Sequence, residues 1–247
     1  MILTVAIGNS SIKFGIFDKE NLVSRFTIPT VRKLNSDEIN SQISDKFDSK
    51  ISAIIISSVV PELREAFQNL GEKFFDVSPF FVDWTFDFGL EIKYFPPENL
   101  GIDRIVAAFA AFEKYGKPCI VCDFGTATNI EVINSKGEYL GGTIVAGINL
   151  LADALHRRTS KLPLVELAKP EKVIGNSTVS CIQSGIFYGY VGLTEGIIKR
   201  MSDELGEKPK VIATGGYANL IAESAEIIEI VDENLMLEGL RLIYEKT

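Results

Sequence analysis

Two stretches of this chain share one rhythm of apolar and polar positions: an apolar run, a tight turn of small and hydroxyl residues, and a second apolar run. The first is Val5 to Ile16, V-A-I-G-N-S-S-I-K-F-G-I, and the second is Val121 to Val132, V-C-D-F-G-T-A-T-N-I-E-V. Each reads as strand, turn and strand, and each continues through a polar turn (Asp18 to Asn21; Asn134 to Gly137) into a third strand. Laid over each other without gaps at an offset of 117 residues, Ala6 stands opposite Asp123, Gly8 opposite Gly125, Asn9 opposite Thr126 and Ser11 opposite Thr128. Self-similarity of this kind marks an internal duplication.

The first half then predicts strands at Leu3 to Ile7, Ile12 to Phe17 and Leu22 to Ile28, a helix from Ser36 to Phe47, a strand at Ala53 to Ser57, a helix from Pro61 to Leu70 and a strand at Lys73 to Val77. A helix from Ile105 to Lys114 follows. The second half, from about Lys117, predicts strands at Cys119 to Asp123, Asn129 to Ile133 and Tyr139 to Val145, then a helix from Ile148 to Arg158. From Val179 a long helical pattern keeps the three-and-four spacing as far as Leu205, followed by a buried strand (Lys210 to Thr214), a Thr-Gly-Gly turn and two short helices around a strand at Glu226 to Ile230. Three strands followed by alternating helix and strand, twice over, predict an α/β chain of two tandem mixed sheets, residues 1–116 and 117–247, with a cleft between them.

The long helix carries Gly185, Gly189, Gly192 and Gly196 along one stripe. Each costs about 1 kcal/mol against Ala in a helix interior, so a close approach of another backbone is expected to offset it. Three readings stand: a neighbouring helix, the same helix of a second subunit in a homodimer, or a break of the helix at one of these glycines. The dimer is the favoured one.

Composition narrows the class. The 247 residues are 46% hydrophobic, enough for one large domain or two smaller ones, and the net charge of −8 disfavours nucleic acid or an anionic membrane as partner. The N-terminus begins at once with a strand and no apolar run reaches the length of a membrane span, which predicts a cytoplasmic protein. Of the three cysteines, Cys119 and Cys122 sit in a predicted strand on opposite faces and read as core, and Cys181 reads as helical and buried.

The turns are where chemistry is expected. Gly with Ser or Thr presents amides and hydroxyls to one concavity, which suits phosphate oxygens, while a carboxylate at the strand end suits the accompanying cation. Two such turns would clamp a nucleotide polyphosphate. A third segment, Tyr94 to Arg104 (Y-F-P-P-E-N-L-G-I-D-R), places Asp103 and Arg104 near the first turn of a helix. An Arg there can hold a carboxylate while an Asp accepts a hydroxyl proton, although a helix cap with a surface Arg reads equally well from this segment alone.

Taken in order, the duplicated turn, G-I-D-R, D-F-G-T-A-T, G-G-T-I-x-x-G (Gly141 to Gly147), T-S-K-L-P (Thr159 to Pro163), G-N-S-T (Gly175 to Thr178) and T-G-G (Thr214 to Gly216) resemble the type III pantothenate kinases, of the acetate and sugar kinase, Hsp70 and actin superfamily. The resemblance spans essentially the whole chain. It implies two ribonuclease H-like (actin-like ATPase) domains and ATP-dependent phosphorylation of pantothenate to 4'-phosphopantothenate, the first step of coenzyme A biosynthesis. It also implies Mg2+ with ATP, a monovalent cation (K+ or NH4+) and a homodimer. Residue by residue, Asp103 matches the proton acceptor. Gly101, Ile102, Arg104, Tyr94 and Thr178 match the substrate pocket. Ala6, Ile7, Gly8, Asn9, Ser10, Ser11, Ile12 and Lys13 match the ATP phosphate loop, with Thr126 a further ATP contact, and Asp123 matches the monovalent-cation ligand.

This sequence departs from the family at Ala6, where the resemblance implies Asp, and at Ala146, where Pro is common. The first departure leaves two alternatives open: an active kinase in which water or another acid, with Asp18 the nearest in the same hairpin, compensates for Ala6, or a non-catalytic relative that binds ATP or pantothenate as a regulator or structural partner, or has lost its function; a kinase for another small hydroxy acid stays open as well, because one sequence does not define the pocket shape.

Overall fold

The computed structural model describes residues 1–46 and 50–247. Phe47, the predicted end of the first helix, lies outside them. The chain forms two compact units, one made of Met1–Leu90, Phe95–Ala110 and Asn234–Thr247, the other of Glu91–Tyr94 and Ala111–Glu233.

In the first unit β1 (Ile2–Ile7) pairs antiparallel with β2 (Ser11–Asp18), which pairs with β3 (Asn21–Pro29). On its other side β1 lies parallel to β4 (Ala53–Ser58), which is parallel to β5 (Phe80–Phe81), giving the order β3-β2-β1-β4-β5. Covered on both faces, β1 is apolar almost throughout. Leu3, Val5 and Ile7 join Phe14, Ile54, Ile56 and Phe67 in one core, with α1 (Ser36–Ile43) and α2 (Arg64–Leu70) over it. A reciprocal cap starts α1: Asn35 accepts the Glu38 amide, and Glu38 accepts the Asn35 amide.

The second unit repeats this plan. β7 (Cys119–Phe124), β8 (Ala127–Ile133) and β9 (Glu138–Ala146) are antiparallel, while β10 (Lys210–Thr214) and β11 (Ile230–Val231) extend the sheet in parallel from the other side of β7. A short strand β6 (Glu91–Ile92) adds to the β9 edge, so the order is β11-β10-β7-β8-β9-β6. Without β6 this is the first unit's order, strand for strand. α4 (Ile148–Arg158), α5 (Thr178–Leu205) and α6 (Ala218–Ala222) accompany this sheet, and residues of all three share its apolar core. The two mixed sheets with their helices are of the actin-like α/β class. No helix among the described residues is long and apolar enough to cross a membrane.

Four expectations are corrected. First, the division does not simply fall at 116/117. α3 (Ile102–Tyr115) passes from the first unit into the second, and the C-terminal helix α7 (Leu235–Tyr244) returns to the first. Leu235, Leu237, Leu240 and Ile243 of α7 are buried, and Gly239 lets α3 come close, since a Cβ there would stand 2.8 Å from Ala110 Cβ.

Second, residues Lys73 to Val77 are not a strand. The helix runs on through a π turn (Gly71–Phe75) and stops at Asp76 in the left-handed conformation, φ 55°. Third, the repeat is not gap-free. Ile7 pairs with Ile12, whereas Phe124 pairs with Thr128, so the first turn is one residue longer and the offset beyond it is 116 (Ile12 to Thr128). In that frame the register breaks also coincide, at Ile16/Phe17 and at Val132/Ile133. Fourth, Cys181 lies on α5 as expected but is exposed.

Cys119 and Cys122 are fully buried, and burial pushes the Cys119 thiol up to about 12 and that of Cys122 up as well. Both therefore lack a thiolate at neutral pH. Alkylation of the native protein with iodoacetamide at pH 8, followed by mass spectrometry, should label Cys181 alone. Rapid native labelling of either strand cysteine would contradict this burial.

Candidate active site

The second turn is held by backbone. The Gly125 amide donates to the Ala127 carbonyl (3.1 Å), the Gly147 amide to the Thr126 carbonyl (3.0 Å) and the Tyr217 amide to the Phe124 carbonyl (3.3 Å). Three chain segments thus meet beyond the end of β7, and glycine is what lets them meet. A Cβ at Gly147 would collide with the Gly125 and Thr126 carbonyls. Gly215 has φ +95°, and its Cβ would stand 2.5 Å from Asp123 Oδ1 and 2.6 Å from the Phe124 carbonyl oxygen.

Asp123 is the next-to-last residue of β7, with Thr214 as its register partner on β10 and Asn129 on β8. The Thr214 hydroxyl is buried and has no hydrogen-bond partner among the described residues. A carboxylate, a neighbouring orphan hydroxyl and a converging carbonyl make an oxygen donor set that fits a hard monovalent cation. Thr126 is exposed at the tip of the turn. The motif's other threonine, Thr128, is 1% exposed and receives the Tyr190 hydroxyl (2.6 Å), which also reaches the Ala146 carbonyl (3.0 Å). Thr128 therefore braces the turn, and burial raises the Tyr190 phenol above its ordinary range. Tyr190 had no distinguishing signal in the sequence, because one Tyr on the apolar stripe of α5 reads as core.

The first turn has the same frame with different donors. The Gly8 amide donates to the Ser11 carbonyl (3.0 Å), Thr30 donates through Oγ1 to the Gly8 carbonyl (2.7 Å) and through its amide to Ser10 (3.1 Å), and the Val59 amide reaches the Ile7 carbonyl (3.0 Å). Asn9 and Ser10 are exposed, Ser11 is half-buried, and Ile12 is buried beneath the turn. Ala6 is buried, paired in register with Lys13 on β2 and Ser57 on β4. Amides, hydroxyls and an ammonium suit phosphate oxygens. They do not suit a divalent cation, whose usual anchor is a carboxylate. Asp18 does not supply one, since it lies five residues along β2 from Lys13, about 17 Å at strand rise.

The loop before α3 orients the candidate base. Gly101 accepts the Arg104 amide (3.0 Å) and the Ile105 amide (3.3 Å), so α3 is anchored on its carbonyl. Asp103 Oδ1 accepts the Arg104 amide (2.9 Å) and bends back over Gly101, where a Cβ would stand 2.7 Å from it. Ile102 and Asp103 are half-buried, and Arg104 is buried at 7% exposure. Arg104 is thus no surface arginine. Its guanidinium is committed to the interior, which needs anionic or hydrogen-bonding partners.

Tyr94 belongs to the second unit, its Cδ2 lying 3.5 Å from where a Cβ of Gly141 would be. Thr178 is the exposed first residue of α5, beside the cap in which Ser177 accepts the Ser180 amide (3.2 Å). The predicted residues therefore fall into local sets: residues 6–13 and residues 101–104 in the first unit, and Asp123 with Thr126, Tyr94 and Thr178 in the second.

The sequence model of the family described as type III pantothenate kinase matches residues 2–200. A type III pantothenate kinase from Halalkalibacterium halodurans is 44% identical over 252 residues, covering 100% of this chain and 99% of its own. One from Citrifermentans bemidjiense is 45% identical over 252 residues with the same coverage. Among solved structures, the ethanolamine utilization protein EutJ from Carboxydothermus hydrogenoformans superposes with a TM-score of 0.59 at 17% identity, over 98% of this chain and 89% of that one, which is a likeness of fold.

Gly215→Ala should displace Asp123 and strain the turn, lowering stability by about 1–3 kcal/mol. Urea unfolding monitored by circular dichroism measures this. Wild-type stability in that variant would show that Gly215 is not what spaces β10 from Asp123.

Proposed function

Because this chain belongs to the type III pantothenate kinase family, we propose that it transfers the γ-phosphoryl group of ATP to the hydroxyl of pantothenate, yielding 4'-phosphopantothenate and ADP. The observation that carries the reading is the start of α3. There the backbone of Arg104 fixes the Asp103 carboxylate over a glycine, and the Arg104 side chain is buried beside it.

In the reaction, the substrate hydroxyl oxygen forms a bond to the γ-phosphorus as the bond from that phosphorus to the ADP oxygen breaks. The hydroxyl proton passes to Asp103. Arg104 balances the carboxylate of pantothenate, with Gly101 and Ile102 shaping the pocket and Tyr94 and Thr178 supplying further contacts. Phosphoryl transfer depends on positioning and charge compensation more than on covalent work by the protein. The two turns serve that end, residues 6–13 and Thr126 through amides, hydroxyls and the Lys13 ammonium. Asp123 and Thr214 are the residues that would hold K+ or NH4+, and Mg2+ bound with the nucleotide would supply charge neutralisation of its phosphates.

The dimer belongs to the same proposal. A Cβ at Gly185, Gly189 or Gly192 would meet nothing within 4 Å among the described residues, while one at Gly196 would stand 3.2 Å from an Arg200 guanidinium nitrogen, so the stripe is open over its first three glycines. A second copy of α5 is the partner that would offset three helical glycines. Ala6 supports a second reading, in which the chain binds nucleotide and pantothenate yet turns over slowly.

ADP release by the purified protein with ATP, magnesium and potassium should depend on pantothenate, and Asp103→Asn should lower kcat by about 10²–10⁴-fold, the usual worth of a positioned base. Turnover indifferent to pantothenate would remove the substrate assignment, and an unimpaired Asp103→Asn would remove the base. Gly189→Leu should shift the mass measured by light scattering from dimer towards monomer. An unchanged dimer would take the stripe out of the interface.

A further inference from the structure

The two halves of this fold allow a comparison that a single site would not. At the end of β7 the next-to-last residue is Asp123, opposite Asn129 on the antiparallel neighbour and Thr214 on the parallel one. At the end of β1 the corresponding residue is Ala6, opposite Lys13 and Ser57. Directly opposed residues of an antiparallel pair project from the same face of the sheet with their Cβ atoms about 5 Å apart. The second turn thus pairs an acid with a neutral amide, and the first pairs a methyl with an ammonium.

Lys13 is half-buried and, among the described residues, its side chain makes no hydrogen bond or ion pair. Its nearest acid along β2 is Asp18, at the far end of the strand. The adjoining turn exposes Asn9 and Ser10 and is pinned by Thr30, which donates to the Gly8 and Ser10 carbonyls. An ammonium with no partner in the protein is available to an anion bound at the turn.

We infer that the first turn of this chain is a cationic cradle that binds nucleotide phosphate directly through Lys13 and backbone amides, without a divalent cation held by the turn. The inference rests on the reading of the chain as an ATP-dependent kinase and gives it a property of its own: affinity for metal-free nucleotide close to that for the magnesium complex. A carboxylate at position 6 would neutralise Lys13 and repel phosphate unless a cation intervened, making binding depend on the metal.

Titration calorimetry with ADP and with a non-hydrolysable ATP analogue, each in excess magnesium and in EDTA, tests this on the full chain. The unmodified protein should show dissociation constants within about threefold of each other in the two conditions, while Ala6→Asp should lose about tenfold or more in EDTA and recover with magnesium. Lys13→Met should weaken binding in both conditions, and circular dichroism spectra check that each variant is folded. Binding by the unmodified chain only with magnesium, or an unaffected Lys13→Met, overturns the inference and leaves the kinase reading standing. No nucleotide binding in either condition removes both.

Discussion

The structure depends on how closely backbones can converge beyond the end of a central strand. At β7 the turn after the strand is hydrogen-bonded by Gly147, just before α4, and by Tyr217 of the segment after β10, and Gly147 and Gly215 stand where any Cβ would strike a carbonyl. Buried amides and carbonyls must be paired. Here they pair across three segments remote in sequence, which fixes the direction of each. That convergence brings Asp123, Thr214 and Thr126 to one place, and the Tyr190 hydroxyl locks it from α5 by bonding both Thr128 and the Ala146 carbonyl. Ligand sites of open α/β sheets lie at the carboxyl ends of strands for this reason: backbone groups there are fixed and not yet used.

The duplication explains which features come in pairs. Strand order, the antiparallel hairpin on one side of the central strand, the parallel strand on the other and even the register break in the second hairpin recur in both units. These follow from sheet geometry and burial, which bear alike on any sequence of that pattern. What differs lies at edges and coverings. β6 lengthens only the second sheet, and α7 crosses back to cover only the first.

Much of this was legible in the sequence because period and length are local signals. The bounds of α4, the run of α5 and the three-strand opening of each half follow from apolar spacing alone. The failures share a different cause. The strand expected at Lys73 to Val77 is apolar enough, but the preceding helix continues through it, and no local signal says whether such a run extends or folds away. The return of α7 is a tertiary choice by an amphipathic helix that either sheet could have buried. The slipped repeat frame was hidden because an ungapped overlay aligns Gly8 with Gly125 correctly and errs only after the turn, where hydroxyl and apolar residues still match by type. Of the candidate site, the glycine-rich turns and the Asp103–Arg104 pair stand out in the sequence by residue type. Thr30, Tyr190 and the orphan hydroxyl of Thr214 do not, since their part is played through contacts made at long range.

The asymmetry between Ala6 and Asp123 follows from the same division between backbone and side chain. Position 6 is buried in a strand whose hydrogen bonds to β2 and β4 are made by the main chain, so the fold asks only for a residue small enough to fit. A methyl group satisfies that at no desolvation cost, whereas a carboxylate there would need a cation or several donors to be tolerated. Ala at position 6 is therefore compatible with this architecture, and what it lacks beside a carboxylate is charge. On the proposed reading, a cradle built from backbone remains one without an acid at position 6, because the sheet fixes the turn's main chain; what is absent is a carboxylate for a metal.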